Sequence, residues 1–381
     1  MKLVRTAKLV LEASPEVFLP TIAAYTKAFN FVCLTGWEGK DSNGVSLHHK
    51  TYKAVREYLP SQLAISARMK ATEAIKSAKA RLSKNLKTSC PKSKSCPVRY
   101  DANSYSLWLD RGEVSIKTVE GRIKVKVGMP EYFKRYADWK WTTADLFVKD
   151  GKVFLHVVFT KEIADIPFSG EFVGIDRGIN NIAVTSANKF YGGKRIKHIS
   201  GRYERLRSEL QSKQHSGKRH LRKIKAKERR FRRDVNHCVS KALVDSVGVG
   251  GTIVFEKLTG IRQNVRMRKT QRRQVHKWNF FQLEQFTSYK ADAKGIRIEH
   301  VPARYTSQKC SKCGYISRSN RKCQSVFKCT QCGFSLHADL NASRNIVQNY
   351  LDAIGHPSRA DVNQPSRCSR PERAGRASPS L

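Results

Sequence analysis

Cys310, Cys313, Cys329 and Cys332 form two CxxC pairs separated by fifteen residues. A tight turn within each pair aims two thiolates at one point, and a second pair at this separation closes a tetrahedral zinc site of four thiolates. A glycine follows the second cysteine of each pair, Gly314 and Gly333, which suits the cramped backbone of a zinc knuckle. The other six of the ten cysteines, Cys33, Cys90, Cys96, Cys238, Cys323 and Cys368, follow no framework, as in a chain kept reduced in a cytosol. Cys90 and Cys96 read as free thiols. Cys323 lies between the ribbon pairs and could compete as a ligand, but the two CxxC pairs are the simpler set. Seven residues past Cys332 stands Asp339, in HADLNASRNI, so a metal-held ribbon runs directly into a carboxylate.

Charge names the class of partner. Lysine and arginine number 73 against 31 acids, a net charge of +42 over 381 residues, far more than solubility requires. Such a field needs a polyanion, and nucleic acid answers it because neutralising phosphates releases condensed counterions. A membrane surface is a poor alternative, since no long apolar run or basic amphipathic anchor accompanies the charge. The opening MKLVRTAKLVLEAS has no adequate apolar stretch or small-residue cleavage site, so the expected location is cytosolic, on the nucleoid in a prokaryote.

The chain is long enough for two to four modules. A short alternating strand, Leu3 to Leu11, precedes a helical stretch opened by Ser14 and Pro15, then a break at GWEGKDSNGVS and two more helical patterns. From Val98 to Phe168 the runs shorten and alternate, predicting a small β-barrel or half-barrel closed against the first strand. From Glu171, EFVGIDRGINNIAVTS reads as a buried strand ending in Asp176, a glycine turn and a second strand; GTIVFEKL repeats the device and delivers Glu256. Aspartate at a strand end is either a turn former or a metal ligand. Two such acids, with Asp339 at the start of the helical run ADLNASRNIVQNYLDAI, favour the ligand. Three converging carboxylates would repel one another unless a cation neutralised them. Oxygen ligands without a histidine cluster suit Mg²⁺ or Mn²⁺, and an ion pair about 3.5 to 4 Å apart serves phosphodiester hydrolysis. The residues therefore predict a nuclease.

GIDRGINNIAVTS, IVFEKLTGIR, KWNFFQLEQFTSYKADAKGIRIEHVPARYTSQKCSKCG and CTQCGFSLHADLNASRNI succeed one another in that order. Together they resemble the RuvC-like nuclease half of transposon-encoded TnpB proteins, relatives of the miniature type V CRISPR effectors. The N-terminal half resembles the family only in layout and in fragments such as AYTKAFNFV and PSQLAISA. The resemblance implies an α+β multidomain chain: a wedge-like β-barrel over 1–12 and 98–170 and a helical recognition module over 13–97. It also implies an RNase H-like core over 171–304 and 334–354, interrupted by a zinc ribbon over 305–333 that contacts target nucleic acid. Residues 355–381, rich in Pro, Ser and Arg, should be a disordered tail. The family's catalytic, magnesium-binding acids map onto Asp176, Glu256 and Asp339. The resemblance further implies a noncoding guide RNA, one protein per RNA, and cleavage of double-stranded target DNA beside a short motif.

Two basic stretches fit a phosphate-tracking surface. The first, KRHLRKIKAKERRFRR, carries Lys218, Arg219, Arg222, Lys223, Lys225, Lys227, Arg229, Arg230, Arg232 and Arg233 against one acid, Glu228. A solvated charged helix usually mixes signs, and this one does not; backbone recognition of a guided heteroduplex needs this composition. The second, RQNVRMRKTQRRQVHKW, carries Arg266, Arg268, Lys269, Arg272 and Arg273 and reads as a mobile lid. Trp278, Phe280 and Phe281 after it read as core packing. The resemblance places contacts to the target-adjacent duplex near Ser61 and Gln62, with Tyr52, Lys53 and Lys70 as neighbours. Asn341 and Arg344 are candidates for positioning the scissile phosphate, with capping and solvation as plainer roles. The alternatives to a guided nuclease are a nuclease-inactive RNA-guided repressor and a DNA transposase. Retention of all three acids favours cleavage, and the ribbon with its flanking motifs favours the guided nuclease over the transposase.

Overall fold

The structure is a computed structural model that describes residues 2–212, 217–258 and 279–355. It separates into two compact units, residues 1–164 and 165–381. Among the described residues no helix is long and apolar enough to cross a membrane.

The first unit is a curled sheet with a helical layer. β1 (Lys2–Leu11) alternates so that Leu3, Ala7, Leu9 and Leu11 are buried. After a 3-10 turn at Pro15–Val17 come α1 (Leu19–Glu38), α2 (Gly44–Arg56) and α3 (Ser61–Leu82). The helix expected from Ser14 thus starts four residues late, because Pro15 sets up the 3-10 turn first. The strands β2 (Val98–Tyr100), β3 (Tyr105–Trp108), β4 (Glu113–Thr118), β5 (Gly121–Gly128), β6 (Lys140–Lys149) and β7 (Lys152–Glu162) join β1 in the order β2-β6-β7-β1-β5-β4-β3. A four-residue helix, α4 (Glu131–Lys134), lies between β5 and β6. β1 pairs antiparallel with β7 along its whole length and touches β5 only at Val10 and Leu11. The sheet coils until Tyr105 of β3 lies 4.9 Å from the Trp141 ring of β6 and donates to the Thr142 carbonyl. This near-barrel and the three helices share one apolar core, with Tyr25, Leu63, Tyr100 and Phe159 at its centre.

The second unit places helices about a five-stranded sheet. Its strands are β8 (Phe172–Asp176), β9 (Asn181–Thr185), β10 (Phe190–Gly192), β11 (Thr252–Lys257) and β12 (Arg297–Pro302), in the order β10-β9-β8-β11-β12. β8, β11 and β12 run parallel, whereas β9 pairs antiparallel with β8 and β10 antiparallel with β9. Parallel strands are covered on both faces, which is why β11 is buried from Thr252 through Glu256. The basic hairpin α5 (Lys194–Ser212) and α6 (Lys218–Asp245) precedes β11, and α7 (Phe280–Asp292) precedes β12. Leu243, Ile253, Phe255 and Leu283 form the core on one face; Val254, Val301 and Ile346 form it on the other. Residues 165–170, expected with the β module, belong to this unit: Ser169 N–H donates to the Gly250 carbonyl.

The last described elements are a ribbon and a helix. β13 (Val326–Lys328) pairs with β14 (Ser335–His337), so the ribbon reaches four residues past its expected end and runs straight into α8 (Ala338–Ala353). That helix lies hard against β8. A Cβ on Gly174 would sit 2.3 Å from the Ser343 carbonyl oxygen and 2.8 Å from Val347 Cγ2, so only glycine permits the approach. The second basic stretch, with Arg266, Arg268, Lys269, Arg272, Arg273 and Trp278, lies outside the described residues, as does the tail beyond 355.

Candidate functional site

Three elements bring three acids together. Ile175 pairs with Phe255 across parallel strands, so the next residues, Asp176 and Glu256, stand side by side at the strand ends. Asp339 arrives from the first turn of α8, whose start is capped by the His337 ring accepting from the Asp339 N–H at 3.2 Å. The close seat of α8 on Gly174 sets how far Asp339 can reach toward β8.

Two of the three carboxylates are held by side chains. Thr306 donates its hydroxyl to Glu256, Asn181 donates to Asp339 Oδ2 at 2.9 Å, and Arg321 of the ribbon donates to Asp339 Oδ1 at 3.3 Å. Burial, then the charges of Glu256 and Asp339, push the Asp176 carboxyl well above the usual carboxylate range, against the pull of Arg321 and Arg177. Burial also raises Glu256, opposed by the Thr306 hydrogen bond and the two arginines. An all-oxygen acid cluster that disfavours its own ionisation fits a hard divalent cation, which supplies the missing positive charge. Among the described residues the close-set metal-ligand group is the four cysteines, whose sulfurs all fall within 4.8 Å of one another.

The cysteines answer their expectation geometrically. Cys310 and Cys332 sulfurs are 3.8 Å apart, and those of Cys313 and Cys329 3.6 Å. A zinc tetrahedron with bonds of about 2.3 Å has edges of about 3.8 Å. Gly314 and Gly333 take φ of 77° and 70°, the left-handed turn each knuckle needs. Cys323 is exposed and outside the set, near Ser325.

Ribbon and helix are joined by two buried amides. Asn341 accepts from Ser311 N–H at 3.0 Å and donates to the Lys309 carbonyl at 2.9 Å; Asn345 donates to the carbonyls of Thr306 and Lys309 at 2.8 and 2.6 Å. Asn341, buried with both side-chain ends engaged, therefore faces the ribbon backbone and not a phosphate, while Arg344 is exposed.

Along α6, Arg219, Arg222, Lys223, Lys225, Lys227, Arg229, Arg230 and Arg233 are all exposed. Glu228, the single acid of residues 218–233, is buried between Arg207 and Arg232, so the outer surface of that stretch keeps its positive sign. Arg232 is half-buried in that pairing, and nothing is described of the Lys218 side chain. Phe280 lies beside the Arg177 guanidinium, but Phe281 is 59% exposed and is not core.

In the first unit, Ser61 and Lys53 are exposed, Gln62 donates to Asp101, and Tyr52 stacks on His48. Lys70 is engaged by the Pro97 carbonyl and Asp145. Sequence reasoning missed Arg177, Asn181, Thr306, Arg321 and Asn345. Only Arg177 carried a signal, as a cation directly after a strand-end acid.

Known proteins align with these segments. Residues 280–346 match the family model described as the Cas12f1-like TNB domain, and residues 157–259 match one described as a probable transposase. The Cas12f1 CRISPR-associated endodeoxyribonuclease of Sulfoacidibacillus thermotolerans is 34% identical over 189 residues, 49% of this chain and 40% of that protein. The TnpB-like protein MJ0751 of Methanocaldococcus jannaschii is 31% identical over 175 residues, 45% of this chain and 62% of that one. The matched segments thus span less than two thirds of either relative. A solved Cas12f1–sgRNA–target DNA complex superposes with a TM-score of 0.64 at 17% identity, covering 87% of this chain and 82% of that one, which shows the mixed α/β fold. The resemblance read from the motifs therefore stands: over these segments the chain is similar to the TnpB-like proteins and the Cas12f1 endodeoxyribonucleases.

Proposed function

We propose that this chain is an RNA-guided DNA endonuclease of a transposon, which binds a noncoding guide RNA and cuts double-stranded target DNA with Mg²⁺ or Mn²⁺. The convergence of Asp176, Glu256 and Asp339 on one buried anionic site carries the reading. It is supported by relatives named as endodeoxyribonucleases and TnpB-like proteins, and by a fold shared with a protein solved on guide RNA and target DNA. On this reading β8 to β12 with α8 are the RNase H-like core, and the near-barrel with α1 to α3 is the wedge and recognition half.

Divalent ions held by the three carboxylates would activate water and stabilise the leaving oxygen. The chain's own groups do the rest. Thr306 keeps Glu256 in one rotamer, Asn181 and Arg321 aim the two oxygens of Asp339, and the zinc-bound ribbon holds Arg321 and α8 in place. Exposed α6 cations take the phosphates of RNA and heteroduplex by charge and shape.

The test is cleavage of a plasmid by the purified ribonucleoprotein with Mg²⁺, beside Asp176→Ala. Linear product from the parent alone is expected. Cutting that survives the substitution overturns the assignment; binding without cutting in the parent points instead to a repressor.

A further inference from the structure

Beneath the acid pair lies a second ionic group that the proposed chemistry leaves without a role. Arg177 directly follows Asp176, and its side chain is 1% exposed. One terminal nitrogen pairs with Glu284 of α7 and reaches the Phe280 carbonyl at 3.5 Å; the other donates to the main-chain carbonyl of Glu256. Its guanidinium carbon lies 4.7 Å from the Phe255 ring centre and 5.7 Å from that of Phe280. The second oxygen of Glu284 meets His300 Nε2 of β12 at 2.8 Å. Arg177 Nε has no acceptor among the described residues.

This is a costly way to fill a core. Replacing a buried ion pair by apolar side chains of similar volume is often neutral or stabilising, and an unpaired buried N–H adds a penalty. Nor does the charge serve to recruit a cation, because a fixed positive group beside a cation site repels the ion. What the arrangement does provide is geometry. A planar fork touches three fixed points at once: the backbone of the second acid, the first turn of α7, and a carboxylate braced from β12.

We propose that Arg177 is a positioning residue: with Glu284 as its anchor and His300 as the brace, it fixes the carbonyl of Glu256, and so the Asp176–Glu256 pair, against the first turn of α7. The proposal rests on the metal-dependent reading of the acid site above. It makes a prediction of sign. Removing Arg177 as a charge should tighten divalent cation binding, whereas removing it as a strut should weaken binding.

Mn²⁺ binding to the zinc-loaded full chain, measured by electron paramagnetic resonance without nucleic acid, separates the two. The variants are Arg177→Lys, which keeps the charge but not the fork, and Arg177→Met with Glu284→Gln, which leaves no stranded ion. Both should melt near the parent and bind Mn²⁺ about 10- to 100-fold more weakly, the usual loss when a group orienting a metal ligand is removed. Single-turnover cleavage should slow to a similar extent, with the half-saturating target concentration unchanged. Unchanged or tighter Mn²⁺ binding in the double variant, or recovery by Arg177→Lys, overturns the proposal. If the double variant does not fold, His300→Ala at the partly exposed brace reads the same coupling: a smaller weakening is expected, and none overturns it. Asp176→Ala is the control. Should the parent bind Mn²⁺ through Asp176 yet fail to cut DNA, the nuclease reading fails while the binding data still decide the role of Arg177.

Discussion

The side chain of Asn341 donates to the carbonyl of Lys309 at 2.9 Å, tying the helix that carries Asp339 to the residue before the first zinc-ribbon cysteine. Cys310 follows Lys309 directly, and Asp339 precedes Asn341 by two positions, so the thiol cluster and the acid sit on either side of this hydrogen bond. The four thiols are therefore part of what presents Asp339. Cys310→Ser should lower bound zinc below one ion per chain, read by atomic absorption. It should also cut the cleavage rate at least about tenfold, by loosening this junction. Full activity in a zinc-free variant would break the proposed coupling.

Asn341→Ala tests the same junction without touching the metal. It strands the Ser311 N–H and leaves the Lys309 carbonyl to Asn345 alone, and an unpaired buried polar group costs about 1–3 kcal/mol. Thermal unfolding should show that loss with zinc content unchanged. A variant as stable as the parent would mean the ribbon and α8 are held by other contacts.

The acid cluster predicts opposite effects with and without cation. Glu256→Gln removes one of the charges that burial disfavours, so in Mg²⁺-free buffer it should melt at or above the parent. Added Mg²⁺ should raise the parent's melting temperature more than the variant's, because a ligand that binds the native state stabilises it by mass action. Cleavage should fall by at least about a hundredfold on loss of a metal ligand, while filter binding should show guide RNA affinity intact. Loss of RNA binding would contradict the division between acid site and basic surface.

The outward cations of α6 should be read by salt. Changing Arg219, Lys223, Arg229 and Arg230 to glutamine removes four exposed charges without disturbing the buried Glu228 pairs. The slope of log affinity for RNA against log salt should become shallower by about 0.7 for each phosphate no longer neutralised, so by up to about 3 in all. An unchanged slope would place the RNA elsewhere.

Legibility in the sequence followed whether a signal is local. CxxC spacing is local, and it located four sulfurs that fall within 4.8 Å of one another. Apolar runs ending in an acid are local, and they located Asp176 and Glu256 at neighbouring strand ends. Arg321 was not legible, since one cation among 73 carries no mark and its contact with Asp339 exists only once the ribbon folds back. Asn341 misled for the complementary reason. Near a candidate catalytic acid a polar side chain reads as a substrate contact, but its partners are the ribbon backbone some thirty residues earlier. Phe281 misled because an aromatic at a helix start looks like core until the helix's buried stripe is known, and that stripe runs through Leu283, Thr287 and Ala291.

Gly174 gives the sharpest mechanical test of how Asp339 is delivered. Its missing side chain lets α8 lie against β8, two residues before Asp176 on the same strand. In Gly174→Ala the new methyl would meet the Ser343 carbonyl oxygen at 2.3 Å, and backbone cannot swing aside as a flexible side chain can. The helix must move outward as a body, since overpacked interiors respond by backbone shifts that cost typically about 1–3 kcal/mol. Outward movement draws Asp339 away from Asp176 and stretches its bond to Asn181. Cleavage should therefore fall far more than the modest loss in melting temperature accounts for, and Mn²⁺ affinity should fall with it. Parental metal affinity in a folded Gly174→Ala protein would mean that Asp339 is placed by the ribbon alone and not by the seat of α8 on the sheet.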